Sequence, residues 1–147
     1  MGITICLQRA NICKKTKENR KMYKQAQKFR EYYELMDQWM MNQEIGVSTA
    51  NYCKKNGYET IAIYGVGILG KHLHYELKKG GIHVKYAIDQ NAKCAFEELK
   101  LCKPDELLDD VDAVIITVTG SYGSIAQRLE EKLDCPMISL EEVVCES

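Results

Sequence analysis

The sequence has little that would bend, staple or anchor a chain. Its 147 residues include two prolines and one tryptophan, and no stretch rich in Pro, Gly or Ser separates one part from another. No internal repeat and no low-complexity tract is present, which excludes solenoid and disordered architectures. Charge of neither sign is in excess: 20 Lys and Arg stand against 21 Asp and Glu. That balance excludes the electrostatic footprint of a nucleic-acid binder. No apolar run reaches the roughly 20 residues of a membrane span. No charged, apolar and small-residue succession marks a signal peptide. The expectation is a cytoplasmic chain with no membrane insertion.

The seven cysteines are odd in number, and none forms a C-x-x-C pair. That pattern belongs to a reducing compartment and excludes a disulfide framework. A catalytic thiol has no local support, since no histidine accompanies a cysteine. His72 and His74 are two apart on an expected helix and point to different sides, and His83 is isolated. No metal site is expected.

What is present changes character along the chain. Residues 1–15 have no clear period, as in a loose arm or a short strand. From about Lys17, the residues Met22, Ala26, Phe29, Tyr33, Met36 and Met40 recur at spacings of 4, 3, 4, 3 and 4. That is one face of a long amphipathic helix over about 17–43. Tyr32, Leu35 and Trp39 widen the stripe, while Lys21, Lys24, Lys28, Glu31 and Gln38 lie opposite. A stripe of this length needs a cover: its own domain, a second copy in a homodimer, or a partner protein. Residues 14–30 are basic and 105–146 mostly acidic; a solvated helix face accounts for the first, with a polyanion site as the alternative. Gly46 ends the long helix, Ser48 caps a short one over 49–56, and Gly57 closes it. Residues 1–56 are therefore expected to be a helical extension, and 57–147 a separate domain.

From Thr60 onward strands and helices alternate. Strands are expected at 60–64, 84–88, near 99–101, at 111–118 and at 137–140. Helices are expected at 68–80, from Pro104 with Asp105 and Glu106 in its first turn, at 124–133, and as a stub at 141–145. Such alternation gives an α/β fold, a Rossmann-like doubly wound parallel sheet of about five strands in the order 3-2-1-4-5. With only about 90 residues left for it, there is no room for the second mononucleotide half of a six-stranded sheet.

The sharpest motif is Gly65-Val66-Gly67-Ile68-Leu69-Gly70, a G-x-G-x-x-G between a strand and a helix, with Asp89 at the end of the next strand. Gly65 serves the tight turn, Gly67 the approach of a phosphate, and Gly70 close helix packing. The helix N-terminus then offers N–H groups to a pyrophosphate, and Asp89 accepts from ribose hydroxyls. Gln90, Asn91 and Ala92 supply no cation for a 2′-phosphate, which favours NAD over NADP. The alternative is a turn kept for packing, with Asp89 merely ending a strand. A phosphate-transfer loop is disfavoured, because Lys71 is followed by His72 where Ser or Thr would hold magnesium. Tyr75 and Lys79 form the Y-x-x-x-K of short-chain dehydrogenases, but on the wrong helix. A second candidate region includes Thr117, Thr119 and Gly120, which follow the strongest strand. It suits a phosphate or sugar, or is an ordinary turn capped by Ser121 or Ser124.

Residues 61–91 (IAIYGVGILGKHLHYELKKGGIHVKYAIDQN), 112–117 (DAVIIT) and 138–143 (ISLEEV) together resemble the small Rossmann-like domains of bacterial polysaccharide biosynthesis proteins. Such domains precede nucleotide-sugar dehydratase or sugar acyltransferase domains, or lie beside glycosyltransferases. The resemblance implies NAD or a nucleotide-sugar as ligand. Gly65, Gly67 and Gly70 would meet its diphosphate and Asp89 its ribose. The sequence departs from that pattern in lacking the dehydratase or transferase domain, so the expectation is a binding module without complete catalytic machinery of its own. Two alternatives are a small NAD-dependent oxidoreductase completed by oligomerisation and a degenerate Rossmann scaffold for protein interaction.

Overall fold

The computed structural model describes residues 2–91 and 98–147. Ala92 and one of the seven cysteines, Cys94, lie outside the described residues. The chain divides into two compact units, Met1–Glu34 and Leu35–Ser147.

Helix α1, Gly2–Glu44, makes up the described part of the first unit and continues into the second. The expected helix over 17–43 therefore begins at Gly2, and residues 2–15 are neither arm nor strand. Between Gly2 and Gly46 there is no glycine and no proline, so nothing breaks the hydrogen-bond ladder. Residues 2–31 are exposed, and a helix that buries no face needs no apolar period.

In the second unit, α1 buries Leu35, Trp39 and Asn42. Leu35 and Trp39 belong to the widened edge of the expected stripe, but its centre is not buried: Met22, Phe29, Tyr33 and Met40 are 68%, 67%, 72% and 58% exposed. Polar bonds define the buried face. Trp39 Nε1 donates to Glu76 Oε2 at 2.5 Å, and Asn42 Nδ2 donates to the carbonyl of Val144 at 2.6 Å. The short helix α2, Thr49–Lys55, starts as expected at Ser48, whose Oγ accepts the Ala50 N–H at 3.2 Å.

The rest is a five-stranded, all-parallel sheet. Its strands are β1 Thr60–Tyr64, β2 His83–Ile88, β3 Leu101–Cys102, β4 Ala113–Ile116 and β5 Met137–Ser139, in the order β3-β2-β1-β4-β5. Helix α3, Ile68–Lys79, joins β1 to β2, and α4, Tyr122–Glu130, joins β4 to β5. Helix α5, Leu140–Cys145, follows the last strand. The fold is Rossmann-like, with β1 at its centre. Side chains alternate between the two faces of each strand. Ala62, Tyr64, Tyr86, Ile88, Val114 and Ile116 pack with Ala126 and Leu129 of α4. Ile61, Ile63, Ala87 and Ile115 turn to the opposite face, and α3 and α5 also adjoin the sheet. Successive crossovers thus lie on both sides.

One expected element is replaced. Pro104 opens no helix: residues 103–112 contain turns, with the Glu106 N–H donating to the Lys103 carbonyl at 3.1 Å. Side chains from elsewhere take the carbonyls a helix would use. Lys132 Nζ donates to Pro104 and Glu106, Tyr86 Oη to Asp109, and Lys85 Nζ to Asp110. Pro followed by Asp suits a turn as well as a helix start. At the start of the central strands, Asp112 Oδ2 accepts the N–H groups of Glu59 (2.9 Å) and Thr60 (2.7 Å) and the Thr60 hydroxyl (2.9 Å). These three bonds hold its carboxyl below the usual carboxylate value.

Candidate functional site

The strand order reverses between β1 and β4, and in open parallel sheets ligands sit at the carboxyl ends of the strands beside such a point. The two candidate loops follow these strands. Gly65 leaves β1 at φ +96°, a left-handed conformation that suits glycine, and its N–H donates to the Ile88 carbonyl at 2.8 Å. A Cβ here would come within 2.5 Å of Thr117 Oγ1. A Cβ on Gly70 would overlap the carbonyl oxygen of Gly65. Both glycines are therefore required by the protein's own packing.

Gly67 is different. It is the N-cap of α3 at φ −72°, a conformation open to any residue, and a Cβ there would meet nothing within 4 Å. It is exposed and carries no side chain to cap the helix, so the first-turn N–H groups of α3 have no capping partner from it. Ile68 beside it is 75% exposed, whereas Val66 and Leu69 are buried in the core. Of the six loop residues, the structure thus presents Gly67 and Ile68 to solvent and uses the other four for packing.

Asp89 and Thr117 are already engaged. Asp89 Oδ2 accepts the Val66 N–H at 3.0 Å, and Oδ1 accepts the Asn91 N–H at 2.7 Å. The carboxylate expected for a ribose therefore ties the end of β2 to the glycine loop. Asn91 enters through its backbone alone, in the Asx-turn pattern an Asp two residues upstream provides. Thr117 Oγ1 donates toward the carbonyls of Tyr64 (2.9 Å) and Gly65 (3.1 Å), and its N–H to Tyr64 (2.9 Å), clamping the two loops together. Thr119 is buried and its hydroxyl has no hydrogen-bond partner among the described residues. Gly120, at φ +79°, turns the exposed loop toward α4. Ser121 occupies the cap position of α4 without a side-chain cap bond, and Ser124 Oγ donates to the Ser121 carbonyl at 3.1 Å.

The remaining motifs fall elsewhere. His72 sets its ring edge-on to Trp39, with centroids 6.5 Å apart. Tyr75 and Lys79 lie toward the C-terminal end of α3, lining a hollow with Gly46, Val47 and Ser48. Burial pushes the Cys53 thiol up to about 11 and raises those of Cys102 and Cys135, so all three stay protonated near neutrality. Among the described residues, no three His, Cys, Asp or Glu side chains gather as metal ligands, and no helix is long and apolar enough to cross a membrane.

Comparison of the chain with protein-family models, with curated proteins and with solved structures gives no match.

Proposed function

We propose that the chain is a nucleotide-binding module that takes NAD or a nucleotide-sugar at the carboxyl ends of β1 and β4. The observation that carries this reading is Gly67. The fold itself needs Gly65 and Gly70 to be glycine, but not Gly67, whose missing side chain leaves open space at the positive end of α3. A diphosphate fits there, on N–H groups that have no other partner within the helix. On the loop that follows β4, the unpartnered Thr119 hydroxyl supports a polar ligand, since buried hydroxyls are nearly always hydrogen-bonded. The remaining lone pairs of Asp89 serve the ribose, and a sequence with no Arg or Lys at 90–92 favours a ligand without a 2′-phosphate. By its sequence resemblance the module serves bacterial polysaccharide biosynthesis in the cytoplasm, acting with a partner that supplies the catalytic groups.

A second reading has one observation in its favour. Asp89 and Thr117 spend their hydrogen bonds on the protein itself, as they would in a scaffold that binds no nucleotide. Calorimetric titration with NAD, NADH, NADP and a panel of UDP- and GDP-sugars separates the two. Micromolar binding of NAD or of one nucleotide-sugar supports the module and names its ligand; heatless titrations across the panel leave the scaffold.

A further inference from the structure

We infer that α1 is a self-association element, pairing antiparallel with α1 of a second copy. The stripe Met22, Ala26, Phe29, Tyr33, Met36 and Met40 keeps the alternating 4-3 spacing of a two-helix seam. It lies on a different side of the helix from Leu35, Trp39 and Asn42, the residues α1 buries. Met22, Phe29, Tyr33 and Met40 are each more than half exposed and Met36 is half-buried, so most of the seam stands open in the single chain. Over 19 residues it runs for about 28 Å, enough for three layers on each side of a two-fold axis.

Charge selects the occupant and its direction. From Arg9 to Arg30 the helix carries nine Lys or Arg and a single acid, Glu18. From Glu31 to Glu44 it carries Glu31, Glu34, Asp37 and Glu44 and no Lys or Arg. A parallel pair sets basic segment against basic segment. An antiparallel pair sets each basic segment beside the partner's acidic one, while both helices bury the same apolar residues. The matching register puts Met22 opposite the partner's Met40, Ala26 opposite the partner's Met36, and Phe29 opposite the partner's Tyr33. A lipid surface fits less well. It needs one apolar side, whereas Ile3 and Leu7 face away from Ile5 and Ile12 at 100° per residue.

Sedimentation equilibrium of the full chain at tens of micromolar tests the pairing. The expected mass is twice that of the chain, falling twofold for Phe29→Glu, whose exposed position leaves the fold of the α/β unit and its melting temperature unchanged. Orientation is read by mixing Met22→Cys chains with Met40→Cys chains, oxidising mildly, and identifying the joined peptides by mass spectrometry. Disulfides between positions 22 and 40 are expected. A monomeric wild-type chain, a Phe29→Glu variant that still dimerises, or disulfides joining 22 to 22 and 40 to 40 would overturn the inference.

Discussion

Gly70 sits so close to Gly65 that a Cβ on the first would overlap the carbonyl oxygen of the second. The start of α3 is thereby pressed against the turn that leaves β1, and Thr117 closes the same knot from β4. Gly67, between the two, is under no such pressure. The loop thus separates glycines that serve the fold from one that does not.

This contrast predicts unequal costs for the same substitution. Gly70→Ala should destabilise the protein by about 3 kcal/mol, because a backbone oxygen cannot yield as a side chain can. Gly67→Ala should cost no more than about 1 kcal/mol, the ordinary preference for Gly over Ala at an N-cap. Denaturant unfolding of the two variants checks this; equal losses would remove the distinction.

Thr117→Val keeps the shape of the side chain and deletes its bonds to Tyr64 and Gly65. A loss of about 1 kcal/mol is expected, since the Tyr64 carbonyl retains the Thr117 N–H. If the clamp also sets the loop for ligand, nucleotide affinity falls with it. Unfolding and titration of one sample measure both.

Asp112 predicts a pH dependence. Its carboxyl titrates below the ordinary 3.8 because Thr60 and Glu59 donate to the charged form. A group lowered on folding stabilises fully above its unfolded value and loses that contribution as pH falls through its folded value. Asp112→Asn should therefore be less stable than wild type at pH 6, and the gap should narrow as the pH drops below about 4. Melting temperatures of both proteins from pH 6 to pH 2 give the comparison. A gap that stays constant would show that the carboxylate charge contributes nothing.

The α/β part of this fold is legible in the sequence because buried parallel strands are continuous apolar runs and their turns need glycine. Thr60–Tyr64 is a β-branched and aromatic run closed by Gly65, and the expected strand matches β1 residue for residue. The strand order 3-2-1-4-5 follows from the alternation and from right-handed crossovers. Residues 2–15 were illegible as helix because no buried face imposes a period on them. The buried face of α1 was legible only in part, through Leu35 and Trp39 at the edge of the expected stripe. That face also includes Asn42 and depends on bonds to Glu76 and Val144, which hydrophobic patterning does not mark. The supposed helix at Pro104 gave way to donors such as Lys132, distant in sequence. At the site, residue type told what Asp89 and Thr117 were able to bond, but not that the protein's own backbone occupies them.

The most direct test is a paired calorimetric titration of wild type and Gly67→Asp with NAD and with UDP- and GDP-sugars. An aspartate at this N-cap suits the helix, so stability should hold or rise by a few tenths of a kcal/mol. The same carboxylate fills and charges the space where a diphosphate would lie. Micromolar affinity in wild type, with a loss of tenfold or more in a variant that melts no lower, is the predicted result. Equal affinity in the two proteins, or no binding by wild type, would contradict a nucleotide site at Gly67.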